Sequence, residues 1–122
     1  MSALQDYSIN VAAKSLNVDP DVVQGGLKVG VVEWMALIEM IMAMVMKFME
    51  QCQQPKPTLL TSIKNPTRLQ RARFYNVVRD GFDDCKHLGW RRQARRFADT
   101  MLNDLPPDDT IELIVDECRG GF

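Results

Sequence analysis

The chain has 122 residues, 46% of them apolar and 25% charged, which suits one ordinary globular domain and excludes disorder along its whole length. A net charge of −1 predicts no strong general affinity for nucleic acid, yet it conceals three blocks of different sign. Residues 1–63 hold four Lys and six acids (−2), residues 64–96 ten Lys/Arg and three Asp (+7), and residues 97–122 one Arg and seven acids (−6). Such blocks predict that the acidic segment neutralises the basic one, within the chain or between copies.

"MSALQDYSIN" lacks the basic start and apolar run of a signal peptide. Three cysteines, Cys52, Cys85 and Cys118, have no paired spacing and suit free thiols, so a cytoplasmic location is expected.

Ser8 to Leu16 reads as a short helix with Ile9, Ala12, Ala13 and Leu16 on one side. "NVDPD" makes a turn in which Asp19 caps a second helix and Pro20 takes its first position. Gly25 and Gly26 are expected to weaken or end that helix. From about Val29 to Glu50 runs a long helix carrying six of the eight methionines. "QCQQPKPTLLTSIKNP", with three prolines, cannot continue it and reads as an extended connector.

Asn65 then caps another helix, with Pro66 at its first position and Phe74, Val77, Val78, Phe82 and Cys85 as its apolar stripe. After Gly89 a further helix groups Trp90, Ala94, Phe97, Met101 and Leu102, with Arg92, Arg95 and Arg96 on the opposite face. Beyond "LPPDD", Asp108 or Asp109 caps a last helix bearing Ile111, Ile114, Val115 and Cys118. The expected fold is all-α, a small bundle of about four to five helices. Residues 1–50 form a hairpin and the Met-rich helix, 51–66 the connector, and 67–122 the C-terminal helical region.

The Met-rich helix carries the functional argument. At 100° per residue, Glu33, Glu39, Lys47, Glu50 and Gln51 share an arc of about 120°, leaving about 240° apolar. A helix resting on one neighbour needs a stripe only a little wider than 100°. A membrane span would have to carry Glu39 near its centre, at about 2.5–3.5 kcal/mol, and no basic flank orients it. A helix lying in a membrane surface would want Lys and Arg where this one has Glu. A central core helix explains part of the apolar arc, and a partner explains the remainder. Trp34, Met35, Ile38, Met42, Val45, Met46 and Met49 are the candidate interface, soft methionines suiting a surface that adapts to its partner.

"RLQRARF" and "WRRQARRF" supply a second candidate, a polyanion contact through Arg68, Arg71, Arg79, Arg92, Arg95 and Arg96. Phe74, Trp90 and Phe97 fall on the apolar stripes, which favours core over base stacking. "INVAAKSLNVDPDVVQ" has the spacing of a helix-turn-helix, but its second helix would offer Asp19, Asp21 and Gln24 to an anionic groove. The cysteines lie 33 residues apart twice over, yet the flanking segments do not align as a repeat.

His87 is the sole histidine, and neither a zinc spacing, a nucleophile motif nor a phosphate-binding glycine loop occurs. The expected function is therefore non-enzymatic, without cofactor or metal. It is self-association or docking through the Met-rich helix, with nucleic-acid binding through the Arg face as the alternative and membrane attachment third.

Overall fold

The computed structural model describes residues 2–51, 67–83 and 93–120. Six helices pack together and no strand occurs among the described residues, which is the all-α fold expected. They are α1 (Ala3–Leu16), α2 (Pro20–Lys28), α3 (Val32–Gln51), α4 (Arg68–Asp83), α5 (Ala94–Asn103) and α6 (Asp108–Gly120).

The helix count exceeds four to five because α2 survives its paired glycines. Asp19 caps it through its side chain, which accepts from the Asp21 N–H at 2.9 Å, and Pro20 opens it, as the sequence implies. It runs through Gly25 and Gly26 to Lys28 because Val23 is fully buried and Gly26 lies beneath the indole of Trp34. The break falls instead at Gly30, whose φ of 77° reverses the chain. Consequently α3 starts at Val32 rather than near Val29, and its axis is bent by 111° from that of α2.

α1 begins five residues earlier than the apolar periodicity suggests. The Ser2 hydroxyl accepts from the Gln5 N–H at 3.0 Å, and Leu4 and Tyr7 extend the buried stripe by a turn. Asn17 ends the helix in the left-handed region with φ 56°, a conformation asparagine tolerates better than most residues.

Asn65 and Pro66 lie outside the described residues, as does the expected connector from Cys52. The described start of α4 is a capping box: Thr67 Oγ1 accepts from the Gln70 N–H at 3.2 Å, and Gln70 Oε1 from the Thr67 N–H at 2.8 Å. Asp108 and Asp109 stand within the first turn of α6, where their charge complements the helix dipole, and Pro107 supplies the first carbonyl, to Ile111.

Helices from both sides of the connector contribute to one shared apolar cluster. Leu4, Ile9 and Val11 of α1 meet Leu37 and Ile41 of α3, Phe74 of α4, Phe97 of α5, and Ile111 and Ile114 of α6. α1 packs on α2, α3, α5 and α6, and α3 also packs on α4. Phe74 and Val78 of the expected α4 stripe are buried, as are Phe97, Met101 and Leu102 of α5. The side chains of Val77 and Phe82, and residues Cys85 and Trp90, lie outside the described ones.

Polar contacts fix the helices around this core. The buried Tyr7 hydroxyl donates to the Met101 carbonyl at 2.8 Å, and its pKa is driven upward by burial, with the Asp104 charge adding to it. Ser15 Oγ donates to Thr100 Oγ1 at 2.8 Å, joining α1 to α5.

Glu117 of α6 spans the start of α1. Its two carboxylate oxygens accept from the N–H groups of Ala3 at 2.8 Å and Leu4 at 3.0 Å. These donors have no partner inside their own helix, and the dipole there favours an anion. Glu117→Ala is expected to destabilise the fold by about 1–3 kcal/mol, the cost of stranding two partly buried donors. Urea unfolding followed by circular dichroism measures this loss, and Glu117→Gln should recover part of it.

Candidate functional site

Two surfaces collect the residues singled out in the sequence: the outward side of α3 and a groove between α4 and α5. On α3 the chain buries Leu37, Ile38, Ile41, Met44, Val45 and Phe48. At 100° per residue these occupy an arc of about 120°, roughly half of the apolar surface available. Ile38 and Val45, two candidate interface residues, are 3% and 1% exposed, so the chain's own core holds them. Trp34 is half-buried, with its indole against Gly26. Met42 and Met46 are half-buried along the edge of the core, and Met35 is 42% exposed. The Met49 side chain lies outside the described ones. Glu33, Glu39 and Lys47 face solvent, as the angular placement requires.

Among the described residues, the exposed Met35 and the half-buried Met42 and Met46 form a narrow strip at the edge of this core, with Ala43 exposed beside it. Val29 and Val32, 79% and 62% exposed at the α2–α3 corner, add apolar surface that the sequence reading did not single out. The signal for them is Gly30, which turns the chain there and lifts both valines off the periodic stripe. Among the described residues no single helix is long and apolar enough to cross a membrane. α2 and α3 meet the length and composition requirement only as a sharply bent pair.

The second surface is a groove of about 420 Å³ lined by Tyr75, Asn76, Val78 and Arg79 of α4 and Ala94, Arg95 and Ala98 of α5. The Tyr75 hydroxyl donates to Asp99 Oδ1 at 2.5 Å, and the Arg95 guanidinium stands 5.7 Å from the centre of the tyrosine ring. That hydrogen bond raises the Tyr75 pKa, as do burial and the Asp99 charge, while Arg71 and Arg95 pull it down. Arg79 donates to Asn76 Oδ1 at 3.1 Å and lies 3.9 Å from the Asp80 carboxylate, both exposed contacts.

The six candidate arginines are therefore not one face. Arg79 and Arg95 border the groove, Arg71 acts on its tyrosine, and Arg68 is exposed on the first turn of α4. Arg96, adjacent to Arg95, turns towards α1 and donates to the Ser15 carbonyl at 3.3 Å. It borders a second depression of about 520 Å³ together with Lys14, Thr100, Asp104 and Arg95 itself, which therefore lines both depressions. There the exposed Lys14–Asp104 ion pair, at 2.9 Å, brings an acid of the C-terminal segment onto α1. Arg92 lies outside the described residues.

Cys118, half-buried on α6, has its thiol pushed up to about 11, chiefly by burial and further by Glu117. Cys52 and Cys85 lie outside the described residues, so the 33-residue spacing has no structural counterpart among them. No group of three or more His, Cys, Asp or Glu side chains suited to a metal ion occurs among the described residues.

No protein family, no curated protein and no solved structure matches this chain.

Proposed function

We propose that this chain is a non-enzymatic association protein that joins a second copy or another protein through the outward side of α3. One observation carries the reading: Met35, Met42 and Met46 form an apolar strip after the chain has filled its own core from the other side of the same helix. Methionine is flexible and polarisable, and a strip of it fits partner surfaces at low reorganisation cost. The test uses Met35→Asp and Met42→Asp, with circular dichroism to check that helix content is retained. Both should abolish self-association or partner binding measured by native mass spectrometry and light scattering. If neither substitution changes size or binding, this function is wrong.

The α4–α5 groove supports a second reading, contact with a polyanion such as single-stranded nucleic acid. Arg79 and Arg95 flank a half-buried tyrosine there, the combination of phosphate contact and aromatic surface that such strands use. Binding should fall steeply as salt rises and weaken in Arg79→Glu and Arg95→Glu. Absence of binding at low salt overturns it.

A further inference from the structure

On the outward side of α3, Met35, Glu39, Ala43 and Lys47 follow one another at four-residue steps, and all four are exposed. Residues at this spacing form one of the ridges by which helices pack. The ridge has an acid on one side of a small residue and a base on the other. Glu39 and Lys47 each stand about 6 Å from Ala43 along the axis, in opposite directions. Eight residues apart on one rigid helix, they are too distant from each other to pair. The ridge is nevertheless complementary to itself when turned end over end.

From this we infer that the occupant of the α3 face is a second copy of the chain, crossing antiparallel at Ala43 with Glu39 of each copy beside Lys47 of the other. The inference rests on the association reading above and names its partner. Packing of four-residue ridges against one another sets helices at about −50°, the commonest crossing in globular proteins. In that arrangement the two ridges run alongside each other, which brings each acid next to the opposite base. Ala43 at the crossing lets the axes approach closely. It lies within the polar arc of α3, about 60° round the helix from Met46 and about 100° from Met42, so the methionine strip borders the contact on one side. The interface is isologous, one patch facing itself across a two-fold axis, so it closes at a dimer.

Charge exchange tests this pairing in the full chain. Sedimentation equilibrium should show a wild-type dimer, and Glu39→Lys or Lys47→Glu alone should weaken it about tenfold or more, because each places two like-charged contacts across the axis. Mixing the two single variants should restore a dimer containing one copy of each, seen as a distinct species in native mass spectrometry. The double variant should again form its own dimer. Both positions are exposed, and circular dichroism verifies that each variant is folded. Wild-type dimers insensitive to every exchange, or singles that do not recombine on mixing, overturn the register at Ala43 while leaving association through α3 standing. A wild-type monomer at all concentrations overturns the second copy as occupant; the association reading itself falls only if Met35→Asp and Met42→Asp also leave every binding property unchanged.

Discussion

Truncation of Phe74 to alanine is expected to destabilise the fold by about 3–5 kcal/mol, the range for emptying a buried aromatic site. Phe74 is fully buried, and its ring centre lies 4.7 Å from that of Phe48 at a tilt of 49°. Tilted aromatic pairs at this separation contribute beyond the area they bury. Phe48 is itself 4% exposed on α3, so the pair joins the Met-rich helix to α4 across the segment between them. A typical domain is stable by only about 5–15 kcal/mol, so the loss takes a large part of the total. The urea midpoint should fall sharply with little change in slope. Leu69→Ala on the same helix is the control: Leu69 is 58% exposed, and its truncation should stay within about 0.5 kcal/mol. Amide hydrogen exchange adds a spatial readout. Because α1, α3 and α4 bury residues in one cluster, protection should drop in all three helices. A drop shared by α4, α5 and α6 but absent from α1 and α3 would show that the helices beyond the connector fold as a separate unit.

The apolar periodicities made α4, α5 and α6 legible, since each sequence stripe has one buried side in a helix with solvent on the other. Asp19 and Pro20 were legible for the same local reason, a cap and a first-turn proline acting within a few residues. Ser2 with Gln5 and Thr67 with Gln70 carry the spacing of a capping box, and that signal, taken over the apolar stripe or the nearby proline, places both helix starts correctly.

The candidate surfaces were less legible because they depend on where neighbours sit. An apolar arc of about 240° on α3 does not say which half faces the chain, so nothing local separates Ile38 and Val45, which are buried, from Met42 and Met46, which lie at the edge. Arg95 and Arg96 are neighbours about 100° apart on α5 and share the depression beside α1, but only Arg95 also borders the groove with α4, while Arg96 reaches the Ser15 carbonyl. Glu117 shows the same limit from another direction. As a surface acid it has no distinguishing local pattern, and only the arrival of α6 beside α1 gives it two backbone donors.

Gly25 and Gly26 are adjacent in one helix, yet alanine at the two positions should shift stability in opposite directions. Local propensity treats them alike: removing a glycine from a helix interior gains about 0.5–1 kcal/mol through a less flexible unfolded chain. Gly25 is exposed, and a β-carbon there would meet nothing within 4 Å, so Gly25→Ala should realise that gain. At Gly26 the added carbon would overlap Cδ1 of the Trp34 indole and lie 3.0 Å from Nε1 and 3.2 Å from Cγ. The indole is a rigid plane, half-buried at the start of α3, and relieving the overlap means moving the ring or the α2–α3 corner. Overpacking of this kind costs about 1–3 kcal/mol, which exceeds the propensity gain. Gly26→Ala should therefore lower the urea midpoint where Gly25→Ala raises it, and combining it with Trp34→Leu should recover part of the loss by clearing the overlap. Equal stabilisation by both alanines would mean that Trp34 does not rest on α2, and that its ring is available at the outward surface with the methionines.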